Sequence, residues 1–132
     1  MTELNAASNR MVLIIDCKVK DIERFKTWSK DRAAKYVYEL KEENSISYEW
    51  YISEDGSEAT LIEAFTDSDA MMVRLGNHAA SSLASEVLEL VDITDVLCLG
   101  NASPSAVEAL SAWGARFRSH HSGYNREIVA PR

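Results

Sequence analysis

The chain has 132 residues, which is enough for one domain with its own hydrophobic core. Its formal net charge is −7 at pH 7, and its lysines and arginines are scattered, which argues against a nucleic-acid-binding protein. The first ten residues are polar, and no run approaches the roughly 20 apolar residues of a membrane helix. We therefore expect a soluble cytoplasmic protein that has no signal peptide and binds no membrane.

The sequence contains little that could bind a metal. Cys17 and Cys98 are far apart and lie in apolar, strand-like runs, so we predict two buried free thiols in a reducing compartment. His120 and His121 are adjacent and would point to opposite sides of a strand, which is poor geometry for a metal. We expect no metal site.

The first part of the chain predicts a strand followed by a helix. Residues up to Asn9 are polar, which is typical of a frayed tail. The segment from Met11 to Lys20 begins as a continuous apolar run and ends in alternation, as in a central strand. Asp21 is a good helix cap, and apolar residues then recur every three or four positions. This spacing predicts a long amphipathic helix from about Ile22 to Lys41.

The segment from Ile46 to Phe65 predicts a β-hairpin. Its first half alternates, with Ile46, Tyr48, Trp50 and Ile52 on one side and Ser47, Glu49 and Tyr51 on the other. Asp55 and Gly56 form a turn signal, because glycine adopts positive φ without steric cost. The chain then returns from Ala59 to Phe65 as the second strand of the hairpin.

A second helix should begin at Asp67 and Ser68 and carry an apolar stripe as far as Leu90. Gly76 and Asn77 interrupt it with poor helix formers, so we expect a kink there or two helices end to end. Residues 93–100 form a strongly apolar run that predicts a central or interface strand.

The C-terminal part predicts a short appended unit. Ser103 and Pro104 open a short helix, and Gly114 ends it. Ala115 to Val129 shows weak alternation, typical of a short edge strand with a loose tail. Trp113 and Phe117 could fold over the sheet edge, where this segment would either cover a pocket or extend a dimer contact.

The order of elements is β-α-β-β-α-β, the ferredoxin-like α+β arrangement. It predicts a four-stranded antiparallel sheet with both helices on one face. We expect a single domain over residues 1–132, with a core of about 11–100 and an extension of about 101–132. The first and fourth strands are apolar at nearly every residue, so the uncovered sheet face predicts a homodimer.

Three motifs resemble the antibiotic biosynthesis monooxygenase-like superfamily of dimeric α+β barrels. They are the segments Asp21–Trp28, Tyr48–Tyr51 and Glu63–Met71. The resemblance covers about 11–100, and the segment after Gly100 is similar to an extension in a poorly characterised branch. The superfamily includes cofactor-free quinol-type oxygenases, haem-degrading enzymes and proteins with no known reaction, so fold alone does not choose among them.

The resemblance implies a site on the second helix. Such proteins often carry a pocket-facing histidine at about the position of Arg74, and here a histidine follows four residues later at His78. His78 would be a general base for a phenol or an axial haem ligand. Asn77 would orient the imidazole or, like Arg74, stabilise an anion. The alternative is an asparagine at a helix kink and a histidine at the surface or at a dimer contact.

Three other residues are candidates for substrate binding. Tyr48 and Trp50 would line an aromatic pocket, or simply pack in the core. Glu63 lies on the strand beside Glu49, and the two carboxylates would be an acid–base pair or, alternatively, exposed or water-bound groups.

The sequence leaves three functions open. The first is a cofactor-independent monooxygenase acting on a small aromatic or quinol-type substrate, with His78 as its base. The second is a non-catalytic binding or structural homodimer, which predicts a pocket without convergent polar groups or one filled by its own side chains. The third is a haem-binding or haem-degrading protein.

Overall fold

The computed structural model describes residues 9–126. Five strands form one mixed sheet in the order β2-β3-β1-β4-β5. The strands are β1 (Met11–Val19), β2 (Ser45–Ile52), β3 (Glu58–Phe65), β4 (Val91–Leu99) and β5 (Arg116–Arg118). Neighbouring strands among the first four are antiparallel, and β5 runs parallel to β4. The predicted ferredoxin-like α+β fold is confirmed, with β5 added at one edge of the sheet.

The first helical region is continuous but not uniform. It consists of α1 (Ile22–Thr27), a π-helical segment (Trp28–Ala33) and α2 (Ala34–Leu40). The Asp21 carboxylate caps it by accepting a hydrogen bond from the backbone N–H of Arg24 at 3.1 Å. Lys41 ends it in the left-handed conformation, with φ of 49°. The predicted helix is therefore correct in extent, but no pattern in its sequence predicts the π-helical segment.

The second helical region breaks later than expected. It comprises α3 (Ser68–Ala80), capped by Asp67, and α4 (Leu83–Leu90). The region forms two helices end to end, one of the two predicted forms, but the predicted kink at Gly76 and Asn77 is wrong, because α3 runs through both residues. A helical glycine costs only about 1 kcal/mol, which the packing of the buried face of α3 outweighs. The break lies at Ser81, whose backbone N–H and hydroxyl both donate to the His78 carbonyl oxygen.

The C-terminal unit contains α5 (Pro104–Ser111), capped by the Ser103 hydroxyl, and the three-residue strand β5. Gly114 follows the helix with φ of 73°. His120 and His121 come after β5 rather than on it, so the expectation that they point to opposite sides of a strand is wrong. Residues 127–129 of the predicted edge segment lie outside the described residues. Within residues 9–126, the helices are too short or too polar to cross a bilayer.

Two hydrophobic clusters pack between the sheet and the helices. The first cluster contains Phe25, Trp28, Val87 and their neighbours. The second contains Leu13, Met71, Leu110 and their neighbours. A polar link ties the first helical region to α4. The Glu86 carboxylate accepts from the Trp28 indole at 2.9 Å and from Arg32 at 3.1 and 3.2 Å.

The opposite face of the sheet carries an apolar patch. Ile14 on β1 pairs with Ile62 on β3 and with Leu97 on β4, so the three side chains lie side by side. Each is only partly buried in the single chain. Next to this patch, Asp16 accepts a hydrogen bond from the Thr60 hydroxyl at 2.6 Å. A polar edge therefore borders the apolar patch.

Two glycines predict opposite effects of the same substitution. Gly100 has φ of 121°, and a Cβ there would overlap the Arg10 carbonyl oxygen, whereas a Cβ at Gly76 meets nothing within 4 Å. We expect Gly100→Ala to lower the free energy of unfolding by about 1–3 kcal/mol. We expect the control Gly76→Ala to raise it by about 0.5–1 kcal/mol, because alanine is the better helix former. Urea denaturation of both variants measures this, and an unchanged midpoint for Gly100→Ala would contradict the close approach.

Candidate functional site

A cavity of about 520 Å³ lies between the inner face of the sheet and the helices. This volume is within the range of small-molecule sites, which is roughly 300–1,000 Å³. Its walls come from β1, β2, β3 and β4, from α2, α3 and α4, and from the C-terminal unit. Most of the lining is apolar and belongs to both hydrophobic clusters. Besides the Cys17 thiol and the indoles of Trp50 and Trp113, the polar side chains of the lining are Tyr48, Glu63, Arg74 and His78.

Local structure explains why these side chains meet. Tyr48 pairs with Glu63 across β2 and β3, so both project from the same face of the sheet. Arg74 and His78 are four residues apart on the uninterrupted helix α3, so they share the face that covers the cavity. The alternation of the hairpin and the period of the helix therefore converge on one space.

Arg74 is the centre of a buried charged cluster. Its Nη1 donates to Glu42 Oε1 at 3.0 Å, and its Nε lies 4.0 Å from Glu63 Oε1. Glu42 also accepts from the Asn77 amide at 2.7 Å through its other oxygen. The side chains of Glu42, Glu63 and Arg74 are each at most 7% exposed. The carboxylates of Glu42 and Glu63 thus share the guanidinium of Arg74 in a buried environment.

The charged cluster places the ionisation of Glu63 near neutral pH. Burial is the main cause that raises the pKa of Glu63 to about 7; the positive charge of Arg74 opposes this shift, and the nearby Glu42 carboxylate adds to it. The second terminal nitrogen of Arg74, Nη2, is buried and has no hydrogen-bond partner among residues 9–126. An unpaired buried donor is costly, so an acceptor oxygen placed beside this nitrogen would remove that cost.

Tyr48 and Trp50 form an aromatic wall. The Trp50 indole donates to the Tyr48 hydroxyl at 2.9 Å, and the Trp50 ring packs edge-on against Phe25 with centroids 5.2 Å apart. Burial raises the pKa of Tyr48, so its hydroxyl stays neutral at physiological pH. Both residues line the cavity and also pack against the first hydrophobic cluster. Tyr48 and Trp50 therefore do both things that the sequence left open: they line the pocket, and they pack in the core.

His78 lines the cavity in the last turn of α3 and is half-buried. Burial lowers the pKa of His78, and the positive charge of Arg74 lowers it further, so the imidazole is neutral at pH 7. A neutral imidazole can accept a proton. Asn77, in contrast, lies outside the lining and gives its amide to Glu42.

The structure overturns the pairing of Glu49 with Glu63. Glu49 pairs with Ile62, so it projects from the opposite face of the sheet, where it is exposed and accepts from the Tyr51 hydroxyl. Glu63 is only 5% exposed, so the expectation of an exposed carboxylate is also wrong. The alternation of β2 already places Glu49 on the outer face with Tyr51, and that signal excludes an acid–base pair.

Two contributions to the site were missed or left open by the sequence. In the sequence, Glu42 indicates only the end of a helix. Its contact with Arg74 depends on the left-handed turn at Lys41, which no sequence pattern marks. Trp113 lines the cavity although it is 53% exposed, so the C-terminal unit does border the pocket. Phe117 instead packs against the second hydrophobic cluster.

No family model matches this chain, and no curated protein matches its sequence. Solved structures do match it. MupZ from Pseudomonas fluorescens superposes with a TM-score of 0.76 at 19% identity, covering 92% of this chain and 99% of MupZ. A mutant of SnoaB from Streptomyces nogalater, described as a cofactor-independent oxygenase, superposes with a TM-score of 0.59 at 13% identity, covering 72% of this chain and 95% of SnoaB.

A third neighbour is a conserved protein of unknown function from Bacteroides thetaiotaomicron, described as a possible oxidoreductase. It has a TM-score of 0.50 and 20% identity, and the match covers 70% of this chain and 97% of that protein. At these identities the likenesses establish the fold alone. Together with the β-α-β-β-α-β order, they show that the chain shares the α+β fold of MupZ and SnoaB.

Proposed function

We propose that the protein is a cofactor-independent monooxygenase that acts on a small aromatic or quinol-type substrate. The observation that carries this proposal is the cavity itself, which combines apolar and aromatic walls with Glu63, Arg74 and His78. Such a space suits a ring system that presents one oxygen to the polar groups. The structural likeness to SnoaB, described as a cofactor-independent oxygenase, supports the same reaction class.

The proposed reaction begins with removal of the proton from a phenol hydroxyl by neutral His78. The resulting anion is electron-rich, and Arg74 stabilises its oxygen through the unpaired Nη2. Oxygen then reacts at a ring carbon. One oxygen atom stays on that carbon as a carbonyl, and the second leaves as water with the two hydrogens lost from the substrate, so the phenol itself supplies the electrons. Asn77 acts here as a positioning residue, because it holds Glu42 and, through it, Arg74.

The cavity lining favours this function over the two other hypotheses. A purely structural homodimer predicted a pocket without convergent polar groups, whereas here ionisable side chains from β3 and α3 line an open cavity. A haem would find an axial ligand in His78. A haem also brings two propionate charges that no proton transfer to His78 offsets, and Arg74, the one arginine or lysine among the described lining residues, already faces Glu42 and Glu63.

A second candidate function is proton transfer without oxygen, such as an isomerisation. It is favoured by the presence of an acid and a base in one cavity: the pKa of Glu63 is raised to about 7, and burial lowers the pKa of His78, which leaves its imidazole neutral. This chemistry would need the same apolar substrate but would consume no oxygen, so oxygen uptake separates the two functions.

We also propose that the protein is a homodimer that pairs through the outer face of the sheet. Ile14, Ile62 and Leu97 form an apolar patch at its centre, with Asp16 and Thr60 beside it. An apolar core with a polar rim is the usual composition of such interfaces. The cavity lies on the other face of the sheet, so dimer formation would leave its lining unchanged.

The oxygenase proposal predicts that purified protein consumes oxygen with hydroquinones or polycyclic phenols in the absence of added metal or flavin. His78→Ala should lower the rate by about 10²–10⁴-fold, because it removes the base. His121→Ala is the matched control, since His121 is exposed and lies outside the cavity lining. Equal rates in wild type and His78→Ala would remove His78 from the mechanism, and product formation without oxygen uptake would favour proton transfer.

The buried carboxyl of Glu63 predicts how stability depends on pH. Its pKa is about 7 in the folded state and has an ordinary value of 4.5, so the folded state binds the extra proton. The stability contributed by Glu63 is complete below pH 4.5 and is lost as pH rises through 7, which amounts to about 3 kcal/mol. Glu63→Gln should therefore gain stability relative to wild type between pH 5 and pH 8 in urea denaturation.

Glu49→Gln is the control for this pH dependence, because Glu49 is exposed on the outer face of the same sheet. Its stability difference from wild type should stay constant over the same pH range. A constant difference for Glu63→Gln as well would show that Glu63 titrates at an ordinary pKa.

The dimer proposal predicts that Ile14→Lys converts the protein to a monomer, because a buried unpaired ammonium cannot be accommodated in an apolar contact. Tyr38→Lys, at a 79% exposed position on α2, should leave the dimer intact. Sedimentation equilibrium of wild type and both variants gives the masses. A monomeric wild type would refute the proposal.

A further inference from the structure

The charged cluster around Arg74 is not electrically balanced. Glu42 and Glu63 together carry two negative charges when both are ionised, and Arg74 carries one positive charge. Among the described residues that line the cavity, the other group able to become cationic is His78, whose lowered pKa keeps it neutral at pH 7. With both glutamates ionised, the buried cluster therefore has an excess of one negative charge.

The hydrogen bonds of Arg74 leave one donor unused. Nη1 is bound to Glu42, and Nε faces Glu63 at 4.0 Å. Nη2 is buried without a partner within residues 9–126, although Arg74 lines the cavity. A ligand oxygen that accepts from Nη2 would remove the penalty of an unpaired donor. A neutral carbonyl or hydroxyl oxygen does this without adding charge.

We propose that this cavity selects neutral ligands: it binds a mostly apolar molecule whose single uncharged acceptor oxygen meets Arg74 Nη2, and Glu42 and Glu63 exclude a carboxylate or phosphate of the same shape. The ligand preference rests on the proposed function, because it describes the substrate of the same cavity. A negative ligand would join two carboxylates in a space of low dielectric constant, where repulsion between like charges is strong.

The preference agrees with the proposed chemistry. A phenol enters as a neutral molecule and becomes an anion only after its proton has moved to a protein base. A ligand that is already a carboxylate would bring its charge from water and lose its hydration, with no proton transfer to compensate. The same two glutamates therefore distinguish a phenol or ketone from an aromatic acid.

The ionisation of Glu63 tunes this exclusion. The charged or titratable groups facing it are Arg74 and His78 from α3, Tyr48 from β2 and Glu42 from the turn after α2. The pKa of Tyr48 is raised and that of His78 is lowered, so both side chains are neutral at pH 7–8, whereas the pKa of Glu63 lies at about 7. Exclusion of anions should weaken as the pH falls below 7.

The test uses two probes of matched shape, 2-acetylnaphthalene as the neutral ketone and 2-naphthoate as the anion. Isothermal titration calorimetry at pH 8.5 should give tighter binding of the ketone to wild type by at least about tenfold. At pH 5.5 the difference should shrink, although the carboxyl of the probe, with a pKa of about 4, remains ionised. Oxygen uptake plays no part in this measurement.

Glu63→Gln should raise the affinity for 2-naphthoate by about tenfold or more at pH 8.5, because it removes one negative charge and keeps the side-chain shape. The ratio of ketone affinity to 2-naphthoate affinity should therefore fall by about tenfold or more. Glu49→Gln is the matched control, and it should bind both probes as wild type does. Circular dichroism of each variant checks that the fold is retained.

Three results would overturn the inference: equal binding of the two probes to wild type at pH 8.5, an unchanged ratio in Glu63→Gln, or no binding of the ketone at all. The outcome is independent of the oxygenase proposal. A preference for the ketone without any oxygen consumption would refute the oxygenase and leave charge selection standing. Oxygen consumption by a protein whose cavity prefers 2-naphthoate would support the oxygenase and refute charge selection.

Discussion

The site depends on one buried guanidinium that serves two carboxylates. Arg74 on α3 binds Glu42 beyond α2 and faces Glu63 on β3, so a single side chain joins three parts of the chain across the cavity. Burying these charges is expensive unless they remain paired, and removing one partner of such a group usually costs several kcal/mol. This constraint explains why Asn77 is positioned on Glu42 rather than in the cavity: it satisfies the second oxygen of a carboxylate that has no access to water.

The rest of the fold keeps the cavity open around this charged cluster. The two hydrophobic clusters meet at the cavity wall, and the Trp50 ring is held edge-on by Phe25 and Trp28. Rings fixed by packing on several sides cannot rotate into the empty space, because each is confined by its neighbours. The link from Trp28 to Glu86 then fixes α4 against the first helical region. Because the walls are rigid and the polar groups are already positioned, the binding site is formed before a ligand binds.

The sequence predicted most of the fold and part of the site. Alternation identified the hairpin and put Tyr48 and Trp50 on one face, and the helical period put Arg74 and His78 on another, because both signals are local. Alternation cannot tell how deeply a side chain is buried, so the sequence left open whether Glu63 binds substrate or is an exposed or water-bound carboxylate. The role of Glu42 depends on contacts with residues 32 and 35 positions away in the chain, which no local pattern encodes. The helix break was misplaced because tertiary packing outweighs the weak propensity of Gly76.

Alternation along β3 also separates the two tasks that we propose for the sheet. Glu63 projects into the cavity, and its neighbour Ile62 projects into the outer apolar patch. Within the cavity, the lining grades from half-exposed His78 and Trp113 to fully buried Arg74 and Glu63. A lining residue that is half-exposed lies where the cavity meets solvent, so a ligand passes it before it reaches the buried charges. The deepest groups are therefore those that we propose to distinguish a neutral oxygen from a charged one. A ligand loses its hydration before it contacts them.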